Sequence, residues 1–117
     1  MGLRPELKVE ILVVGHASVV SLRGEMDIAT ASKVQSALDA ARGDGALVLD
    51  LRAVEFIDTS GLRVLVSERR RAREEGYKFA VVRGSHQVQR LLEIAGFSPG
   101  DAMFVDDPAE VTGGSQG

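Results

Sequence analysis

The sequence contains no cysteine and no tryptophan. Without cysteine there is no disulfide framework and no thiolate metal site. Aromatics are few: Phe56, Tyr77, Phe79, Phe97 and Phe104. A core must therefore be built from Val, Leu, Ile and Ala, and little is left for stacking on bases or sugars. No apolar run approaches the roughly 20 residues that a membrane-spanning helix needs. The opening Met1-Gly2-Leu3-Arg4-Pro5-Glu6 has neither the apolar stretch of a signal peptide nor the Ser or Thr that an N-myristoylation motif carries at position 6. Positive charge is not in excess. Fourteen Lys and Arg stand against 17 Asp and Glu, for a formal net charge of −3, which supplies no general attraction to nucleic acid or to an anionic membrane. The expectation is a cytoplasmic protein that neither binds nucleic acid directly nor inserts in a membrane.

What is present fits a single domain spanning residues 1–117. Its 44% hydrophobic and 26% charged residues are those of an ordinary globular chain, and a domain of this length buries roughly two-thirds of its unfolded surface. Leu7 to Val14 and Ala17 to Leu22 are rich in β-branched residues and flank the short junction Gly15-His16, which predicts an antiparallel hairpin. Gly24-Glu25-Met26-Asp27 breaks the strand pattern. Ala31, Val34, Leu38 and Ala41 then recur at helical spacing between about Ala29 and Arg42. Leu47 to Leu51 reads as a central strand covered on its faces, followed by a link from Ala53 to Ile57.

A second helix is predicted from Thr59 or Ser60, with Leu62, Leu65, Val66 and Arg69 along one face and Gly76 as its stop. Lys78 to Val82 is a further strand. Ser85 can cap a third helix carrying Val88, Leu91, Leu92 and Ala95, which Gly96 ends. Met103 to Val105 suits a short edge strand, and the polar, Gly-rich residues 107–117 read as a disordered tail. Strands alternating with helices imply parallel pairing through right-handed crossovers, and the hairpin adds an antiparallel pair. The fold class is α/β with a mixed sheet.

Catalytic patterns are missing from the sequence. His16 and His86 lie far apart, in a turn and near a helix start, with no further ligands at metal-binding spacing; they read as surface residues. There is no Gly-x-Ser-x-Gly elbow and no P-loop, because Gly43 and Gly45 are not followed by Lys-Ser/Thr. Asp50 and Asp58 could each end a strand, yet nothing else completes an acid-base pair around them. No enzyme and no cofactor is expected. The run Glu68-Arg69-Arg70-Arg71-Ala72-Arg73-Glu74-Glu75 interleaves four arginines with three glutamates, which on a helix gives a solvated face with i,i+4 pairs or a contact surface for a partner.

One segment stands out: Phe56-Ile57-Asp58-Thr59-Ser60-Gly61-Leu62, whose first two, apolar residues are expected to bury the end of the preceding link. Asp, Thr and Ser arrive where a helix starts, and each is a favoured capping residue, with Gly61 permitting close packing. The same residues also form a candidate phosphorylation site. A phosphate on Thr59 or Ser60 would meet backbone N–H groups and the positive end of the helix dipole. It would add about −1.5 to −2 charges to the surface without unfolding the chain.

These residues, with their neighbours, carry a family resemblance. Leu22-Arg23-Gly24-Glu25-Met26-Asp27 followed by Thr30-Ala31, then Leu47-Val48-Leu49-Asp50-Leu51, then Val54-Glu55-Phe56-Ile57-Asp58-Thr59-Ser60-Gly61-Leu62, resemble the STAS-domain family and in particular the bacterial anti-sigma factor antagonists. Val88 to Phe97 is similar to that family's last helix. The likeness covers about residues 7–106. It implies a mixed sheet with an N-terminal antiparallel hairpin and helices packed largely on one side. It also implies a protein that binds an anti-sigma factor, itself a serine/threonine kinase, and so frees a sigma factor for transcription. In such systems the kinase phosphorylates the hydroxyl residue after the motif's Asp and a serine/threonine phosphatase reverses it. On this sequence the acceptor is Thr59, with Ser60 the secondary candidate. The implied partner-binding residues are Asp27, Asp58, Thr59, Ser60, Gly61 and Arg63. Thr59 stands where the best-understood antagonists carry Ser, and Arg63 where a small residue is common. The competing expectation is a constitutive STAS subunit of a signalling scaffold or a lipid-transport complex, whose binding would be indifferent to charge at position 59.

Overall fold

The computed structural model describes residues 7–113. The elements run β1 (Lys8–Val14), β2 (Ala17–Met26), α1 (Ala31–Ala41), β3 (Ala46–Ile57), α2 (Thr59–Glu75), β4 (Phe79–Val82), α3 (His86–Ile94), β5 (Phe104–Val105) and α4 (Ala109–Thr112). The five strands form one sheet in the order β1-β2-β3-β4-β5. β1 and β2 are antiparallel, and every later pair is parallel. The hairpin closes at Val14↔Ala17. Gly15, at φ +60, takes the first of the two turn positions, where tight hairpins demand the positive φ that glycine reaches without strain.

Alternation along the strands sorts the core. Val20, Leu22, Leu47, Leu49, Leu51 and Val81 share one cluster with Val34 and Leu38 of α1, Val64 and Leu65 of α2, and Val88 and Leu92 of α3. The opposite face holds the smaller group Val19, Val48 and Val82, against which Val105 and Val111 pack. Three helices therefore lie on one side, as expected, and only the single turn α4 covers the other.

The sequence reading is corrected at four places. Gly24 does not end a strand. β2 continues to Met26, because the register shifts at Ser21/Arg23 and Gly24/Glu25 take up the irregularity as bulges, with Gly24 at φ 124. The link from Ala53 to Ile57 is not a loop either: it extends β3, paired with β2 through Met26↔Ile57. The buried face of α2 is Gly61, Val64, Leu65, Glu68 and Ala72, which leaves Val66 exposed at 43%. The expected disordered tail begins as ordered chain. Glu110 Oε2 accepts the N–H groups of Asp106 and Asp107 at 2.8 and 3.1 Å, and Asp107 Oδ1 accepts that of Ala109 at 2.8 Å, so α4 starts there; residues 114–117 lie outside the described residues.

Candidate functional site

The strands β2 and β3 end together, and the residues singled out by sequence gather at that end. Asp58 follows the last residue of β3 with extended backbone and caps α2. Its Oδ1 accepts the N–H groups of Ser60 at 2.8 Å and Gly61 at 3.2 Å, and its backbone oxygen accepts Leu62 N–H at 2.9 Å. This satisfies the donors that a helix start leaves open. Its other carboxylate oxygen, Oδ2, accepts Ile28 N–H at 3.3 Å, and its own N–H donates to Met26 O at 3.0 Å. One aspartate thus ties the start of α2 to the loop between β2 and α1.

That loop is braced from within. Asp27 Oδ1 accepts the N–H groups of Ala29 at 2.9 Å and Thr30 at 3.1 Å. The Thr30 hydroxyl accepts Asp27 N–H at 2.9 Å and donates to Glu25 O at 2.8 Å. This turn also explains why α1 starts at Ala31 rather than Ala29. The loop holds Ile28 out into solvent at 82% exposure, the highest among the exposed large apolar residues.

Gly61 is where the helix comes closest to β2. A Cβ there would lie 2.8 Å from Ile57 Cγ1, 2.9 Å from Met26 Cβ and 3.0 Å from Met26 O, closer than packed atoms allow. The glycine is required by this approach, and it sets the height of Thr59 above the sheet end. Thr59 is exposed and Ser60 half-buried. Arg63 is exposed one helical turn beyond Thr59, on the same face. Thr59, Leu62, Arg63, Val66 and Arg70 of α2 line a cleft of about 490 Å³ closed by Ala95 and Phe97.

All six predicted positions therefore meet at one end of the molecule, Asp27 and Asp58 through the Ile28 loop, Thr59 to Arg63 along the first turn of α2. Two details differ from expectation. The N–H groups expected to receive a phosphate are already held by Asp58, so a phosphate on Thr59 would face a carboxylate as well as the helix dipole. Phe56, expected to be buried, is 38% exposed. Ile28, Phe56 and Val66 were missed as surface residues of the site. An apolar residue beside a capping motif reads as core, and only the packing shows that these three are left out of it. Among the described residues no group of three or more His, Asp or Glu side chains could hold a metal ion, and no helix is long and apolar enough to cross a membrane.

The family model of the STAS domain matches residues 8–106. The chain belongs to the STAS-domain family. Within it, the chain is 30% identical over 100 residues to the anti-sigma-F factor antagonist RsfB of Mycobacterium tuberculosis, covering 82% of this chain and 81% of that one. It is 28% identical over 94 residues to the anti-sigma-B factor antagonist of Staphylococcus aureus, covering 79% and 85%. Among solved structures, an anti-sigma factor antagonist from Mycobacterium paratuberculosis superposes with a TM-score of 0.68 at 31% identity, over 80% of this chain and 83% of that chain. The STAS match spans β1 through β5, which is the whole sheet, and the site lies within it.

Proposed function

We propose that this STAS domain acts by binding, as an anti-sigma factor antagonist, and that its docking surface is the shared end of β2 and β3 with the first turn of α2. The observation that carries the reading is the placement of Thr59. An exposed hydroxyl stands directly after a capping aspartate, on a helix start held against the sheet by Gly61, with exposed Ile28 and Val66 on either side. Exposed apolar side chains beside polar groups mark a surface suited to protein docking. The partner is an anti-sigma factor that is also a serine/threonine kinase, and Thr59 is its acceptor, with Ser60 second.

The switch follows from charge. A phosphate on Thr59 adds about −1.5 to −2 charges at the centre of the patch. Arg63, one turn on, is placed to pair with it, whereas the Asp58 carboxylate repels it. The repulsion also bears on the Asp58–Ile28 tether, so the modification acts on both the charge and the shape of the docking surface. A serine/threonine phosphatase resets the state. Turnover by the chain itself has no part in this scheme.

The test is capture of partners from the source cells with Thr59→Ala and Thr59→Glu baits, identified by mass spectrometry, followed by titration of the captured kinase-type protein. The expected result is capture by the Ala bait and an affinity at least tenfold weaker for the Glu bait, about 1.4 kcal/mol or more. Equal capture of the same proteins by both baits would replace the switch with a constitutive STAS subunit.

A further inference from the structure

The largest consecutive stretch of exposed apolar side chains lies far from the docking surface. Ile11, Leu12 and Val13 are exposed at 44, 62 and 69%, and no other three consecutive described residues are large, apolar and exposed. They belong to β1, the outermost strand of the sheet on one side. Outer strands usually protect their free main-chain groups with charge, proline or a bulge. Here Lys8 and Glu10 guard only the first half of the strand, and Ile11 to Val14 has no such device.

The direction of the free groups can be worked out. The two-residue turn makes Val14↔Ala17 the closing pair of the hairpin, which in such hairpins is the hydrogen-bonded one. Alternation then commits the main-chain groups of Leu12 and Glu10 to β2, opposite Val19 and Ser21. Val9, Ile11 and Val13 turn theirs outward. The side chains of these same three lie on the helix-bearing face, since they pair with Leu22, Val20 and Ser18.

We propose that β1 pairs antiparallel with β1 of a second copy of this chain, about a two-fold axis through Ile11, joining two five-stranded sheets into one of ten. The register is self-complementary. Ile11 meets Ile11 of the second copy, and Val9 meets its Val13, so every outward donor meets an acceptor and the apolar side chains form one ladder. Glu10 falls opposite Leu12 and Lys8 opposite Val14, so no charge directly faces its like. The paired segment lies against Ala17 to Arg23 of β2, whereas the docking surface adjoins its last residue, Met26, so pairing leaves both docking surfaces open. The inference is independent of what the docking surface binds.

Because the chain has no cysteine, single cysteines test the register without background. In the proposed dimer the two Ile11 Cα atoms are about 5.5 Å apart, within disulfide reach. The two Leu12 Cα atoms, offset by two residues, are about 8 Å apart, beyond it. Under mild oxidation the full-length Ile11→Cys variant is expected to cross-link to a dimer, and Leu12→Cys is not, although Leu12 is the more exposed. Sedimentation equilibrium of the unmodified chain should show reversible dimers between about 10 μM and 1 mM, as suits a contact smaller than the standard ~800 Å² per partner. Ile11→Lys should weaken the dimer at least tenfold, with an unchanged circular dichroism spectrum showing that it is folded. A chain that stays monomeric to the top of that range overturns the proposal, even if it captures a strand-forming peptide. So does cross-linking at Leu12 as fast as at Ile11.

Discussion

The two halves of α2 use a carboxylate in opposite ways. At its start, Asp58 accepts three N–H groups at a surface where Thr59 is exposed. Farther along, Glu68 is 1% exposed and serves as the centre of a clamp. Arg42, which ends α1, donates to it twice, Nε to Oε2 at 3.2 Å and Nη2 to Oε1 at 3.0 Å, and the Tyr77 hydroxyl donates to Oε2 as well. Arg42 reaches Asp39 too, at 2.6 Å. The clamp fastens α1, α2 and the approach to β4 at a distance from the site. Chemistry alone does not separate the two carboxylates. Burial does: the half-exposed one borders the exposed Thr59, and the enclosed one is locked into the frame.

The sharpest way to break this contrast is to remove the enclosed carboxylate. Glu68→Ala leaves the Arg42 guanidinium, with only 16% of its side chain exposed, without its main partner. The expected loss is about 3 kcal/mol of unfolding free energy, at the low end for a broken buried pair because Arg42 keeps some solvent and Asp39. A urea midpoint measures it, and partner affinity per folded molecule should be unchanged. The double variant Glu68→Leu, Arg42→Met should recover most of the loss, since apolar residues of similar volume often replace such pairs without cost.

A smaller effect tests the same clamp by pH. Burial, then the hydrogen bond to Glu68, pushes the Tyr77 phenol up to about 12. The folded state therefore favours the neutral phenol more than the unfolded chain, which ionises near 10. That contribution is complete below about pH 10 and is lost as pH rises through 12. Tyr77→Phe should remove this alkaline arm, while costing about 1 kcal/mol near neutrality for the hydrogen bond. Denaturant midpoints of both proteins between pH 8 and 12 compare the two slopes.

The contrast was only half visible in the sequence. Asp58-Thr59-Ser60-Gly61 could be read as a helix start because capping is local: the carboxylate and the Ser60 and Gly61 N–H groups it caps lie within three residues. Gly76 was readable as the stop for the same reason, and at φ 81 it takes the left-handed conformation expected of it. Glu68 was not, since its partners are 26 residues earlier and nine later, and the arginine-rich run around it reads as a solvated face. Arg69 departs from that reading as well: it is half-buried over the Phe97 ring, 4.8 Å from its centroid, and paired with Asp101. The strand ends were misread because Gly24 signals a break locally, whereas the parallel pairing of β2 with β3 carries the strand through it. What long-range packing decides, local pattern does not contain.

At the exposed half the effects should be smaller in stability and larger in binding. Asp58→Ala removes the cap and should cost about 1 kcal/mol. Asp58→Asn keeps an amide oxygen able to cap and should recover most of it. The amide has a single acceptor, so with its oxygen capping α2 its NH2 stands where Oδ2 accepts Ile28 N–H; Asn keeps the cap and loses the tether, and partner binding should fall toward that of Ala. If Asn bound as well as Asp, neither the tether nor the charge of Asp58 would be what the partner reads. Urea midpoints and a titration with the captured partner separate the two quantities.

The smallest expected change is the most informative. Thr59→Ala and Thr59→Glu should each alter unfolding free energy by less than about 0.5 kcal/mol, the usual range for exposed positions. For Glu, the favourable helix dipole at the first turn, about 0.3–1 kcal/mol, opposes repulsion from Asp58 of similar size. A stability that stays level while affinity falls tenfold would mean that charge at position 59 acts on the docking surface itself. A loss of 2 kcal/mol or more on Thr59→Glu would mean that the start of α2 belongs to the frame after all. The two halves of the helix would then differ in burial but not in role, and loss of binding would be a consequence of unfolding rather than of a switch.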